Sequence, residues 1–360
     1  MMTYMKKIIY LIALSVLLFA GCSKHSVAPE APEQFDRYIF FSQQVQTKAS
    51  LIESGDAMGQ FGVVGFKYDK DQYENFSGFI SANPTQEPNV FFDDAGARVD
   101  VETCWVDGTN ASYAPLQGWS NSKKYSFFAY YPIENDHVTL VNTADGTAYS
   151  GGVPAIKYSI NTDNPKESMV DVMIATPQEN KYWHSDSDNN LSSGEILFEF
   201  AHCLSSLGVK IRNSSAGNIM IQGIYLDIED IQYQQIVLPL DGSTLPPVAD
   251  PFDISLYGLS VSDASSLAPG SFKELSDKVI LIPQSNTEVS IRIIVSYKRQ
   301  FGNGEPSSLL TSEPYTLTSN LTTGKKHMIS LNFKDSTVEV GGEVSTEGWI
   351  DIPDVEDTFN

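Results

Sequence analysis

The sequence predicts an all-β protein whose antiparallel sheets pack as sandwiches. Short runs of aromatic and β-branched residues are separated by clusters of Gly, Asn, Asp and Pro, which is typical of strands and turns. Apolar residues alternate with period two: Val289, Ile291, Ile293 and Val295 lie opposite polar neighbours, as expected for strands with one buried face. Helical signal is weak, and the short apolar run 201–207 fits a strand or a helix equally well.

The candidate strands follow this pattern along the chain. The residues Tyr125, Phe127, Ala129 and Tyr131 are predicted to share one face of their strand. The predicted strands are Tyr38–Gln46, Gln60–Tyr68, Lys124–Tyr131, Ser168–Ala175, Glu195–Phe200, Leu207–Arg212, Ile219–Ile228, Lys278–Ile282, Glu288–Tyr297, Lys326–Phe333 and Gly348–Ile352.

The N-terminus has the order of a bacterial lipoprotein signal. Lys6 and Lys7 precede an apolar run, residues 8–19, which is shorter than the ~20 residues of a membrane-spanning helix. The string that ends at Cys22 resembles a lipobox, which implies that residues 1–21 are a signal peptide and that the Cys22 thiol carries acyl chains. An ordinary secretory signal is the alternative. Residues 22–36 are polar and contain prolines, so we expect a tether.

Length and charge limit the function classes. The chain has 360 residues, 45 acidic against 23 basic, and a net charge of −22. Two domains are expected from this length, with residues 37–190 and 191–360 divided in a polar Asn/Asp-rich loop. No basic face for nucleic acid is evident. Cys104 and Cys203 could pair or remain buried thiols, and the sequence leaves both open.

No motif for catalysis or metal binding appears, so the sequence predicts no enzyme, no metal and no cofactor. The HExxH, GxSxG and Walker patterns are absent. The segment that starts at Asp186 begins like a calcium loop, but Leu191 and Leu197 replace its required Gly and Glu. His202 is expected to be a packed, hydrogen-bonded residue. Aromatic residues near loops favour a second hypothesis, a lipid-anchored carbohydrate- or ligand-binding protein; they are Trp105, Tyr113, Trp119, Tyr182 and Trp183.

Several segments, taken in order, resemble the fimbrillins, the subunits of type V pili in Bacteroidetes. The matching segments are Ile39–Ser42 followed by Thr47–Ala49, Phe61–Phe66, Tyr125–Pro132, Asp171–Ala175, Phe198–Leu204, Leu207–Ile211 and Gly324–Leu331. The resemblance implies two tandem transthyretin-like β-sandwich domains.

The same resemblance implies a maturation pathway and the proteins that take part in it. A lipoprotein precursor reaches the outer membrane, a trypsin-like protease removes the N-terminal segment with its first strand, and a strand from another pilin subunit fills the groove. The expected location is the cell surface, in a fimbrium. Ser23, Lys24 and His25 follow Cys22 where surface lipoproteins of this phylum often carry acids, so periplasmic retention stays open.

The first strand carries apolar side chains on both faces. Tyr38 and Phe40 lie on one face, and Ile39, Phe41 and Val45 on the other, which predicts burial on both sides. Five such side chains at ~1.5–3 kcal/mol each give roughly 7–15 kcal/mol of gross burial energy.

The cleavage site has two candidates on either side of this strand. A cut after Lys48 would release the strand, whereas a cut after Arg37 would remove only the tether; we favour Lys48. The C-terminal stretch that includes Val338 and Val340 could serve as a donor strand or could complete the second sandwich.

Overall fold

The computed structural model describes residues 38–45, 60–86, 100–102, 117–133, 135–143, 146–183, 195–259, 266–275, 279–284, 288–341 and 345–348. These residues form twenty-one strands, one α-helix and one short 3₁₀ turn, so the predicted all-β fold class is confirmed. In these ranges no helix combines the length and apolar character that a membrane crossing requires.

The first sheet collects strands from distant parts of the chain. Its members are β1 (Phe40–Val45), β2 (Gln60–Asp69), β3 (Asp100–Glu102), β4 (Lys123–Tyr131), β7 (Met173–Ala175), β8 (Gln178–Lys181) and β9 (Glu195–His202). The order is β1-β9-β7-β4-β2-β3, and β8 pairs with β4. β1 runs parallel to β9, which departs from the antiparallel pairing that the sequence predicted. Sequence pattern cannot set this direction, because β1 and β9 are separated by a long stretch of chain.

Both faces of the first sheet are buried at its centre. Phe61 and Phe127 belong to one apolar cluster, while Phe66 and Phe128 belong to a second cluster on the opposite face. The predicted common face of β4 is confirmed, because its four residues all lie in or against the first cluster. This double burial explains why β2 and β4 read as nearly continuous apolar runs.

Gly62 lets β2 and β4 approach each other closely. A Cβ atom at this position would lie 2.5 Å from Cζ of Tyr130, a distance that only glycine permits without movement of the ring.

The other strands form three further sheets. A three-stranded sheet contains β5 (Val138–Asn142), β6 (Pro154–Ser159) and β12 (Gln235–Pro239). A six-stranded sheet contains β10 (Ser205–Asn213), β14 (Phe272–Glu274), β15 (Val279–Leu281), β19 (Lys325–Phe333), β20 (Val338–Val340) and β21 (Ser345–Gly348). A five-stranded sheet contains β11 (Asn218–Ile231), β13 (Phe252–Leu259), β16 (Val289–Gln300), β17 (Leu310–Thr311) and β18 (Tyr315–Ser319).

The predicted alternation in β16 is confirmed. Val289, Ile291, Ile293 and Val295 are fully buried in the larger apolar cluster, which also includes residues of β10, β11 and β19. β10 and β19 pair in parallel, a second exception to the antiparallel prediction. β20 and β21 both pair with β19, so the C-terminal strands complete this sheet within the chain.

The two sides of residue 190 are joined by strand pairing. β9 lies in the first sheet, and β12 pairs with β6, although both follow residue 190. The larger cluster likewise draws residues from both sides. The division into tandem domains at residue 190 therefore stays a prediction.

The sequence did not predict the helix α1 (Phe76–Ala82). The Asn75 side chain caps it by accepting a bond of 2.8 Å from the Gly78 amide, a strong N-terminal signal. Asn180 Oδ1 accepts two further bonds, from the Phe76 amide and the Tyr68 hydroxyl, both 2.7 Å long. The helix is therefore fixed to β2 and β8.

Candidate assembly site at the first strand

The strand β1 ends one side of the first sheet. Phe40 lies opposite Glu195 and Val45 opposite Phe200 in the parallel register with β9. At its start, the Ile39 amide donates to the Gln117 carbonyl at 2.9 Å. In the described part of the chain, β1 forms a strand pair with β9, from which it is distant in sequence. An edge strand with so little pairing is a candidate for removal from the sheet.

One face of β1 is fully buried among aromatic rings. Ile39 and Phe41 are both inaccessible to solvent. The Phe41 ring stacks on Phe198 with centroids 5.3 Å apart and meets Phe127 edge-on at 5.6 Å. Such pairs stabilise by ~0.5–1.5 kcal/mol beyond the burial of area. These contacts define what any replacement strand would have to supply.

The other face of β1 is partly open to solvent. Phe40 is 37% exposed, and Leu197, on the same face of the neighbouring β9, is 43% exposed; Tyr38 is half-buried. The expectation of burial on both faces is therefore wrong for Phe40 in this chain. The apolar layer that covers this face of β2 and β4 leaves these two side chains partly in solvent.

The other residues predicted for the site lie wholly or partly outside the described residues. The Val45 backbone pairs with Phe200, but its side chain is outside the described residues. Cys22, Arg37 and Lys48 are also outside them. Lipidation and both cleavage positions therefore stay predictions.

A buried hydrogen-bonded pair ties β9 to the segment before β7. His202 Nδ1 lies 2.9 Å from Asp171 Oδ1, and both side chains are almost inaccessible. The prediction of a packed, hydrogen-bonded His202 is thereby confirmed, while Asp171 as its partner was missed. Its signal was available, because Asp171 is the acid within a run of otherwise strand-forming residues.

The Asp171 carboxylate also affects its neighbours. Cys203 is a half-buried free thiol, and desolvation together with the Asp171 charge raises its pKa to about 12, which disfavours the thiolate form. Cys104 lies outside the described residues. Burial and the same carboxylate raise the pKa of Tyr131.

Among the five aromatic residues proposed for ligand binding, Trp119 is not available to a ligand. Trp119 is buried and packs edge-on against Tyr125 at 5.0 Å, so it presents no face to a sugar. Tyr182 and Trp183 are half-buried, and Trp105 and Tyr113 lie outside the described residues.

The described part of the chain contains no group of three or more His, Cys, Asp or Glu residues placed to hold a metal ion. The calcium-like segment at Asp186 is outside it.

The chain belongs to the fimbrillin-like family, which it matches over residues 69–349. This match confirms the resemblance read from the sequence. No protein of curated function matches the chain.

Solved structures from Bacteroides are similar to this chain. A fimbrial protein from Bacteroides vulgatus ATCC 8482 is 18% identical with a TM-score of 0.56, covering 87% of this chain and 100% of its own. A "putative cell adhesion protein" from Bacteroides ovatus ATCC 8483 is 14% identical with a TM-score of 0.48, covering 87% and 98%. At this identity, the first of these supports the fold alone.

Proposed function

We propose that this chain is a structural subunit of a cell-surface pilus. Membership of the fimbrillin-like family supports a fimbrial or adhesive role. The observation that carries the proposal is β1, an edge strand held by two buried side chains, Ile39 and Phe41, in an aromatic cluster that the rest of the first sheet completes. Removal of this strand would leave an apolar groove along β9, and a strand from another subunit would restore both the packing and the backbone pairing.

The proposed maturation has three steps. The precursor is exported, acylated on Cys22 and held at the outer membrane by its acyl chains, since two chains suffice for stable anchoring. A trypsin-like protease then cuts after Lys48, which detaches β1 with the tether; Arg37 is the alternative position. The body then joins other pilin subunits by donor-strand exchange.

Limited trypsin treatment of the purified precursor tests this order. We expect mass spectrometry to find a cut after Lys48, followed by a ladder of oligomers on a gel that does not dissociate them. The matched variants Lys48→Ala and Arg37→Ala identify the productive cut: the first should block the ladder and the second should not. A complete cut after Lys48 that leaves only monomers would refute polymerisation.

The anchor is tested separately. Cells that express the chain and receive a labelled fatty acid should incorporate label in the unaltered chain and none in a Cys22→Ser variant. Equal labelling of the two chains would contradict lipidation at Cys22, without bearing on strand exchange.

A further inference from the structure

A polar cavity lies where the chain leaves the helix α1. It has a volume of about 470 Å³, and among the described residues it is lined by Ala82, Asn83, Pro84, Thr85 and Gln86. Sites for small molecules typically have ~300–1,000 Å³. None of these residues belongs to β1 or to the aromatic cluster that seats it, so the cavity is distinct from the candidate assembly site.

Hydrogen bonds hold the loop that lines the cavity. Asn83 Nδ2 donates to the Phe79 carbonyl at 2.9 Å and to the Tyr73 hydroxyl at 3.2 Å. The Gln86 amide donates to the Asn83 carbonyl at 3.0 Å, and the Gln86 carbonyl accepts from the Gly152 amide at 2.9 Å. Because the loop is already ordered, a ligand would lose less binding energy to ordering the site.

The turn that contains Gly151 packs closely against this loop. A Cβ atom on Gly151 would lie 2.6 Å from the Thr85 carbonyl oxygen, and Gly151 has a φ of +143°, a conformation that glycine adopts without strain. A side chain at this position would therefore displace the loop and change the shape of the cavity.

The loop and the turn packed against it contain no charged side chain. Residues 82–86 and 146–153 include no Asp, Glu, Lys, Arg or His, although the chain has 45 acidic and 23 basic residues. An ionic ligand would lose its hydration here without gaining a partner of opposite charge from these segments. We therefore expect a neutral ligand.

The cavity offers hydrogen-bond donors and acceptors next to each other. In the described structure both protons of Asn83 Nδ2 are used, so Asn83 Oδ1 is left to accept a bond. The Tyr73 hydroxyl accepts from Asn83 Nδ2 and, at 3.0 Å, from Gln72 Nε2, so its own proton is left to donate. Thr85 adds an exposed hydroxyl that can do both, and Pro84 adds an exposed apolar ring. A sugar ring has matching groups, since its adjacent hydroxyls donate and accept and its C–H groups are apolar.

We propose that this cavity binds a neutral saccharide, with one sugar ring hydrogen-bonded to Tyr73, Asn83 and Thr85. A peptide carries similar polar groups, but it needs recesses for its apolar side chains, and the apolar part of the described lining is limited to Ala82 and Pro84. The binding goes beyond the proposed function, because it requires neither cleavage nor strand exchange. On a pilus subunit, it would attach each copy to a glycan-coated surface.

Titration of the uncut chain with defined sugars tests the proposal. The neutral probes are N-acetyllactosamine, mannobiose and lactose, and sialyllactose is the negatively charged comparison. We expect at least one neutral probe to shift the amide resonances of residues 82–86 in nuclear magnetic resonance spectra, and sialyllactose to bind at least tenfold more weakly than that probe. Unchanged resonances with all three neutral probes, or equal binding of sialyllactose, would overturn the proposal.

Two substitutions with matched controls locate the site. Thr85→Trp fills the cavity and should weaken binding at least tenfold. Tyr73→Phe removes the donor hydroxyl but keeps the edge-on contact with Phe79 at 5.2 Å, and it should weaken binding roughly three- to tenfold. The controls Thr318→Trp, at an exposed position of β18, and Tyr233→Phe, at a half-buried position, lie outside the lining and should bind like the unaltered chain.

Thermal unfolding of each variant separates a lost site from a lost fold. Equal sugar binding by folded Thr85→Trp and Thr318→Trp would place the sugar elsewhere and overturn the proposal. Failure of the trypsin-cut chain to polymerise would count against the proposed function alone, because all of these measurements use the uncut chain.

Discussion

Replacement of Phe41 by alanine should weaken the hold on β1 far more than replacement of its neighbour Phe40. Phe41 is fully buried and contacts Phe198 and Phe127, whereas Phe40 is 37% exposed. Phe→Ala changes in protein cores cost ~3–5 kcal/mol, including the cavity left behind. We expect ~3 kcal/mol for Phe41→Ala, the lower end, because an edge strand can shift into the space. Phe40→Ala should cost about 1 kcal/mol, since much of that ring is already in water.

Chemical denaturation of the intact precursor measures both values. The two variants differ by one position in the same strand, so strand propensity and backbone pairing are matched. Binding of the cut strand to the body after cleavage near Lys48 gives a second measurement. A loss of ~3 kcal/mol in Phe41→Ala corresponds to about a hundredfold weaker binding of that strand. Equal losses of unfolding free energy in the two variants would refute the assignment of Ile39 and Phe41 as the side chains that seat the strand.

Three further substitutions test buried polar contacts elsewhere in the described structure. Asp171→Ala leaves His202 without its buried hydrogen-bond partner and should lower the unfolding free energy by ~1–3 kcal/mol, measured by denaturant titration; no measurable change would contradict a stabilising pair. Burial lowers the pKa of His327, whose Nε2 accepts a 3.1 Å bond from the Thr322 amide. The unfolded state therefore binds the proton more readily, and stability should fall as the pH drops below 6.5, the ordinary pKa of histidine; a His327→Gln variant with the same loss between pH 7 and 5 would refute this. Asn180→Ala should cost ~2–3 kcal/mol by removing two hydrogen bonds, and Asn180→Asp, which keeps the acceptor, should cost less by thermal unfolding.

The pattern of single strands could be predicted from sequence because it depends on local alternation. The alternating residues of β4 and β16 directly report which face is buried, and the structure confirms both. Short strands such as β5, β6 and β12 were missed, since few residues in each carry the pattern. The helix α1 was missed although its Asn75 cap was visible in the sequence.

Pairing between distant strands could not be predicted, and it is what forms the candidate site. Nothing near Phe40 specifies a parallel partner at Glu195, because a register is set by the whole sheet rather than by neighbours in the chain. The Asp171–His202 pair is hidden for the same reason. The family resemblance predicted that the first strand is removed during maturation, and the structure shows the contacts that hold this strand in the sheet.

The burial of β1 bears directly on whether a single cut suffices for release. The sequence estimate counted five buried side chains; of the four that the structure describes, Ile39 and Phe41 are fully buried, while Tyr38 and Phe40 are partly exposed. The two buried side chains give ~3–6 kcal/mol of gross burial energy. A free fragment held by that energy would have a dissociation constant of roughly 10⁻⁵–10⁻² M, whereas the uncut chain holds the strand at an effective concentration of about 10⁻³ M. We therefore expect the cut fragment to leave during gel filtration at micromolar protein and a synthetic peptide of residues 38–46 to rebind only near millimolar concentration. A fragment that stays bound at micromolar protein would show that the backbone pairing with β9, rather than the two side chains, supplies most of the hold, and that a donor strand would have to displace it actively.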